Sequence, residues 1–201
     1  MATKLDAVNT IISNIGQAPV AALDTGNPLA ATAQLVLEEV TKTVQAEGWA
    51  FNRENEYPIH LDTNDELVIP TDVMQIDLPA LSDGSLVRRS GKLYDKTNHS
   101  YDLSDYADFN GIVKCDIIWE FDFEDIPAAV QHYITIRAAN VFAGRSVGST
   151  EAVRFGQQEE TLARAAAIEY ETQQGDFNMF GDVRGLNVYN SYRPRHSLYR
   201  Y

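Results

Sequence analysis

Gly144-Arg145-Ser146-Val147-Gly148 has the G-x-S-x-G spacing of a hydrolase nucleophile elbow. That chemistry needs a strand before the serine and a helix directly after it, so that the hydroxyl stands exposed on a strained turn. A helical pattern precedes the motif here, and the five residues read as a helix-to-helix linker. The acidic row Glu120, Asp122, Glu124 and Asp125 holds carboxylates of the kind a glycosidase pairs as acid and base. An acidic chain offers such pairs anywhere, and a solvated strand face or a polar contact between subunits explains them as well. His60, His99, His132 and His196 are far apart and lack the His-x-x-x-His spacing or cysteine partner of a zinc site. Asp108-Phe109-Asn110-Gly111 resembles the middle of a calcium loop, but Tyr106 and Ile117 occupy the positions of its first and last ligands. Ser90-Gly91-Lys92-Leu93 lacks the upstream glycines of a phosphate loop. Cys115, the sole cysteine, lies in an apolar run and reads as a small buried hydrophobe. The expectation is therefore no catalytic residue, no cofactor and no metal.

The totals point the same way. A chain of 201 residues with 44% hydrophobic and 22% charged residues suits one compact domain, or a core with a small inserted subdomain. A net charge of -13 makes the body repel nucleic acid rather than grip it, although a smooth negative wall suits a passage for a moving polyanion. No run approaches the roughly 18 apolar residues of a membrane span, and Met1 to Asp6 contains no signal-peptide core. A protein made in a cytoplasm, with no membrane partner, is expected.

The elements that must position these residues follow from periodicity. Thr3 can cap a helix with Leu5, Val8, Ile11, Ile12 and Ile15 on one face and Gly16 at its left-handed end. Asn27 and Pro28 open a second helix, with Leu29, Leu35, Val36, Val40 and Val44 running to Gly48. Short runs then predict strands at Tyr57 to Leu61, Glu66 to Ile69, Val73 to Leu78, Leu86 to Arg89 and Lys92 to Asp95, with Ser90-Gly91 as a hairpin turn. A last strand is expected over Ile112 to Phe123, its end alternating Trp119, Phe121 and Phe123 against Glu120, Asp122 and Glu124. A third helix after Ile126-Pro127 carries Val130, Ile134, Ala138 and Val141 to a stop at Gly144. A fourth, capped by Ser149 or Thr150, runs to Gln174 and ends at Gly175, with Gly156 a weak point in its early turns.

The layout is an α+β fold: a four-helix bundle with a β-rich insertion between its second and third helices and an extended C-terminal arm. Its expected parts are residues 1–51 and 125–183 as the two halves of the bundle, 52–124 as the insertion and 184–201 as the arm. The arm holds Arg184, Arg193, Arg195 and Arg200 with Tyr189, Tyr192, Tyr199 and Tyr201 and no acid, on an otherwise acidic chain. Such a contrast marks a strap for another protein's surface, since tyrosine and arginine dominate interface energetics.

Several strings line up with one family. Leu5-Asp6-Ala7-Val8-Asn9, Ile15-Gly16-Gln17-Ala18-Pro19-Val20, Gly48-Trp49-Ala50-Phe51-Asn52, Phe123-Glu124-Asp125-Ile126-Pro127, Glu169-Tyr170-Glu171 and Phe177-Asn178-Met179 resemble, in order and spacing from about residue 4 to 181, the tail tubular protein A proteins. These are the head-to-tail adaptors, or gatekeepers, of T7-like short-tailed bacteriophages. The resemblance implies a structural, non-enzymatic virion protein with a helical bundle and a β insertion. It implies a dodecameric homo-oligomeric ring between the portal protein and a tail nozzle protein of the tail tubular protein B type. Tail fibres would be neighbours, and genomic DNA would be only a non-specific passing cargo. On that view the arm residues Arg184, Tyr189, Tyr192, Arg193, Arg195, Tyr199, Arg200 and Tyr201 dock on the portal, and Trp119, Glu120, Asp122 and Glu124 face a neighbouring subunit or the nozzle. The alternatives are a virion-carried cell-wall hydrolase using the acidic row and His132, and an acidic decoy module suggested by charge alone.

Overall fold

The computed structural model describes residues 2–23, 26–78, 86–146 and 150–175, with side chains over 156–174 in the last stretch. Helix α1 (Lys4–Ser13) begins with a reciprocal cap. The Asp6 amide donates to Thr3 Oγ1 at 3.1 Å, and the Thr3 amide donates to Asp6 Oδ2 at 3.1 Å. Ala7, Val8, Ile11 and Ile12 are buried, while Leu5 is only half-buried. Helix α2 (Pro28–Gln45) starts as expected, with Asn27 Oδ1 accepting from the Leu29 amide at 2.9 Å. Its buried stripe runs through Ala30, Ala33, Leu37, Val40 and Val44, and Leu35 departs from the expected face: lying nearly opposite Leu37 on the helix, it is 66% exposed.

Helix α3 (Ala128–Ser146) packs against α1, α2 and α4 (Thr150–Gly175), and as the central element it is buried on several sides, with Val130, Tyr133, Ile134, Ala138 and Phe142 inaccessible. Gly144 does not stop it, because a helix already held on three sides tolerates one glycine near its end. Helix α4 contributes Ala163 and Ala167 to the shared core. Gly156 is required there by close approach: a Cβ at that position would sit 2.1 Å from Asn140 Oδ1, whose amide Nδ2 donates to the Gly156 carbonyl at 2.7 Å.

Between α2 and α3 the chain forms β1 (Arg53–His60), β2 (Val73–Asp77), β3 (Leu86–Arg89), β4 (Lys92–Asp95) and β5 (Ile112–Trp119). Strands β1, β5 and β2 make an antiparallel sheet in that order, with Tyr57 opposite Cys115 and Ile76 opposite Ile117. Strands β3 and β4 form a hairpin whose two-residue turn has positive φ at both Ser90 (52°) and Gly91 (76°), the mirror-image turn that matches strand twist. Leu67, Ile69, Val73, Leu93, Leu103, Val113, Cys115 and Ile117 build a second core, separate from the one among the helices.

Three strand expectations change. β1 begins earlier than Tyr57, at Arg53, with a bulge between Glu54 and Tyr57. Glu66 to Ile69 buries Leu67 and Ile69 but makes only isolated bridges, Glu66 to Asp102 and Val68 to Lys92. β5 ends at Trp119, so the alternation through Phe123 is not that of a strand: residues 123–125 form a 3-10 turn and Phe123 points into the helical core.

Candidate interaction surfaces

The segment leaving β5 is held by three buried side-chain amides rather than by a neighbouring strand. Asn52 Nδ2 donates to the carbonyls of Gln45 (3.0 Å) and Trp119 (2.9 Å), and its Oδ1 accepts from the Trp49 amide at 2.9 Å. Gln45 brackets Phe121, accepting from its amide at 2.8 Å and donating to its carbonyl at 3.0 Å. Gln131 Nε2 donates to the Phe123 carbonyl at 2.7 Å. Alternate backbone positions from 119 to 123 are thus tied to α2, to the corner after it, and to α3. Gly48 lets the chain turn there, with φ of 76° and Ile118 Cδ1 only 2.8 Å from where a Cβ would stand.

This scaffold places the acidic row at the surface, but it does not leave Glu120, Asp122 and Glu124 free. Glu120 is ion-paired with Lys42 at 3.0 Å, Asp122 with Lys4 at 3.3 Å, and Glu124 accepts from the Lys4 amide at 3.3 Å. The hydrogen bond that Lys42 donates to Glu120 also holds its ammonium above its ordinary value. Lys4, Lys42, Glu120 and Asp122 border a depression of about 60 Å³ that Leu37, Thr41 and Phe121 also line. Trp119 packs edge-on against Tyr57 at 5.2 Å, with its Nε1 buried and without a hydrogen-bond acceptor.

The remaining motifs have local explanations. Asp108 Oδ1 accepts from the amides of Asn110 (2.9 Å) and Ile112 (3.0 Å), so the calcium-like loop is an Asx-turn that presents Phe109, 97% exposed, at its tip. Burial pushes the Cys115 thiol up to about 12, with Asp116 and Asp77 adding to the shift. Ser146 is the last residue of α3, while Val147 and Gly148 of the G-x-S-x-G string lie outside the described residues. Among the described residues no group of three His, Cys, Asp or Glu side chains could hold a metal ion. No described helix is long and apolar enough to cross a membrane.

Sequence reasoning missed two further features. Tyr133 is fully buried, its hydroxyl accepts from Arg137 Nη1 (2.9 Å) and Arg164 Nη1 (3.1 Å), and both arginines reach Glu47, at 3.4 and 3.1 Å. This cluster fastens α4 to α2 and α3. The other is a groove of about 580 Å³ where the outer face of the sheet meets the end of α2, lined by Arg53, Gln75, Asp77, Arg88, Asp116 and Ile118. Neither has a short sequence signature, because each assembles residues from three or more elements.

The family model described as tail tubular protein matches residues 5–177. The chain belongs to the tail tubular protein family. It is thus a structural protein of a phage tail, and its place is the virion. A search of curated proteins finds no match. In this tail tubular protein the resembling strings coincide with the staples of the fold. Asn9 of the first string exchanges two hydrogen bonds with Val20 of the second (3.0 and 2.8 Å), and Asn52 of the third orders the corner. Glu171 of the fifth accepts from the Ala50 amide at 2.6 Å, tying the far end of α4 to the same corner. The predicted arm, from Arg184 through Tyr189, Tyr192, Arg193, Arg195, Tyr199 and Arg200 to Tyr201, lies outside both the matched span and the described residues.

Proposed function

We propose that this protein is the head-to-tail adaptor of a short-tailed phage, a dodecameric ring set between portal and nozzle through which DNA passes during ejection. Family membership over residues 5–177 is the observation that carries the proposal. The four helices are read as a bundle made from residues 1–51 and 125–183, and residues 52–124 as a β insertion that stands on it with a core of its own. A net charge of -13 per copy supports the passage role, since phosphates repelled by a wall slide past it. The two-core build supports a structural role, in which the helices hold position and the β part, with features such as Phe109, offers surface to neighbours. Trp119, Glu120, Asp122 and Glu124 are then structural at this corner first, with only their outer edges left for a nozzle or neighbouring subunit.

The basic, tyrosine-rich segment 184–201 is proposed to anchor the ring on the portal, its arginines meeting acids and its tyrosines supplying buried area at low entropic cost. Truncation before Arg184 tests this: portal capture should fall, and undiminished capture would end the proposal for the arm. Incubation of the protein with peptidoglycan should release no fragments; released fragments would favour a wall hydrolase.

A further inference from the structure

Most described cations are consumed inside the molecule, each against a carboxylate. Those left outside an ion pair, among the described residues, are Arg53, Arg88, Arg89 and Lys96, and three of these four lie on or beside the β3–β4 hairpin. Strand alternation decides which way the hairpin faces. Leu93 and Asp95 are buried, so Arg89 and Tyr94 share the outward face with Lys92. The Arg89 guanidinium lies 4.1 Å above the Tyr94 ring, and Tyr94 meets Tyr101 edge-on at 4.9 Å. A rigid cationic and aromatic face of this kind has the composition of an interface anchor. It also has the opposite sign to the rest of a strongly acidic chain.

The complement stands on α4. Glu159, Leu162 and Glu169 fall within about 80° of one another around the helix; Leu162 and Glu169 lie away from Ala163 and Ala167, and Glu159 stands exposed on the flank, one turn before Ala163. Leu162 is 72% exposed, and neither glutamate meets a cation among the described residues. The two carboxylates are about 15 Å apart along the axis. Arg89 stands opposite Lys92, and Lys96 follows the end of β4 at Asp95, in the turn beyond it. We propose that the outward face of this hairpin docks on α4 of a neighbouring copy, with Arg89 and Lys96 against Glu159 and Glu169 and Tyr94 over Leu162. The two surfaces differ, so the contact is head-to-tail and propagates around a ring rather than closing a dimer. The proposal rests on the ring reading above and names the contact that would hold it.

Mixing unlabelled and nitrogen-15 protein in the presence of the portal, then joining lysines to carboxylates with a carbodiimide, separates contacts between copies from contacts within one. Links between copies from Lys96 to Glu159 or Glu169 are expected; links only elsewhere, or none, overturn the contact. A protein carrying Arg89→Glu and Lys96→Glu, and another carrying Glu159→Lys and Glu169→Lys, should each assemble on the portal about ten-fold more weakly, read by sedimentation of the mixture. Mixed together they should regain association, which no folding defect could produce. Unchanged association in both, or no recovery on mixing, overturns the proposal. Duplex DNA binding lost with the hairpin variant would assign the face to nucleic acid and likewise overturn it. A ring held by other surfaces would refute this contact while leaving the adaptor reading intact, whereas failure to bind a portal would refute the adaptor reading on its own.

Discussion

Replacing Asn52 with alanine tests the corner on which both halves of the molecule are hung. The side chain is fully buried and makes three hydrogen bonds, to the Gln45 and Trp119 carbonyls and from the Trp49 amide. Each bond is worth about 1 kcal/mol net, and each buried group left without a partner costs about 1–3 kcal/mol. Since the stranded groups share one small cavity and relax together, the losses fall short of additive, and about 3–4 kcal/mol is expected. That is a large share of the about 5–15 kcal/mol that holds a domain together. Urea unfolding followed by circular dichroism reads the change, and a loss below about 1 kcal/mol would refute the staple argument. Asn52→Asp sharpens the test. Its carboxylate can still accept from Trp49 but sets an oxygen against two carbonyls, which raises the folded-state pKa above the unfolded value. This variant should be poorest near neutral pH and recover as pH falls through the raised value, when the protonated group can donate.

Three other outcomes follow from the structure and the charge of the chain. Gly156→Ala should destabilise by about 2 kcal/mol through the overlap with Asn140, and much less in an Asn140→Ala background, as measured by urea midpoints. Burial alone would raise the Asp95 carboxyl, but hydrogen bonds from Tyr106, Thr97 and Asn98 outweigh it and hold the group below its ordinary value. Its stabilisation is therefore present above about pH 4 and lost as pH falls through the lower folded value. Asp95→Asn should flatten the acid side of a stability-versus-pH curve, and an unchanged slope would contradict this. Like-charge repulsion between copies of charge -13 predicts a soluble monomer whose ring forms on the portal as template, so a stable ring of the isolated protein at low salt would count against it.

Local signals carried much of the fold. Thr3 with Asp6, Asn27 with Pro28, and Ser90-Gly91 each set a boundary through chemistry within four residues, and all three stand where the pattern put them. The errors arose where distant groups decide. Trp119 to Phe123 alternates like a strand, yet amides from Gln45, Asn52 and Gln131 capture its backbone and turn Phe123 into the other core. Leu35 is apolar and sits amid a helical stripe, but the closest packing runs along Ala30 and Ala33, which leaves it outside. Gly144 looked like a stop because the support α3 receives from three helices is not written in its own residues. The acidic row showed the same limit: its composition was plain, while its pairing with Lys4 and Lys42 depends on helices more than seventy residues away.

The central claim is that this chain works as one collar-forming unit of a phage tail. Electron microscopy of the purified protein mixed with its portal tests that most directly. A twelve-fold ring stacked coaxially on the portal is the predicted image; free monomers beside undecorated portals would contradict it.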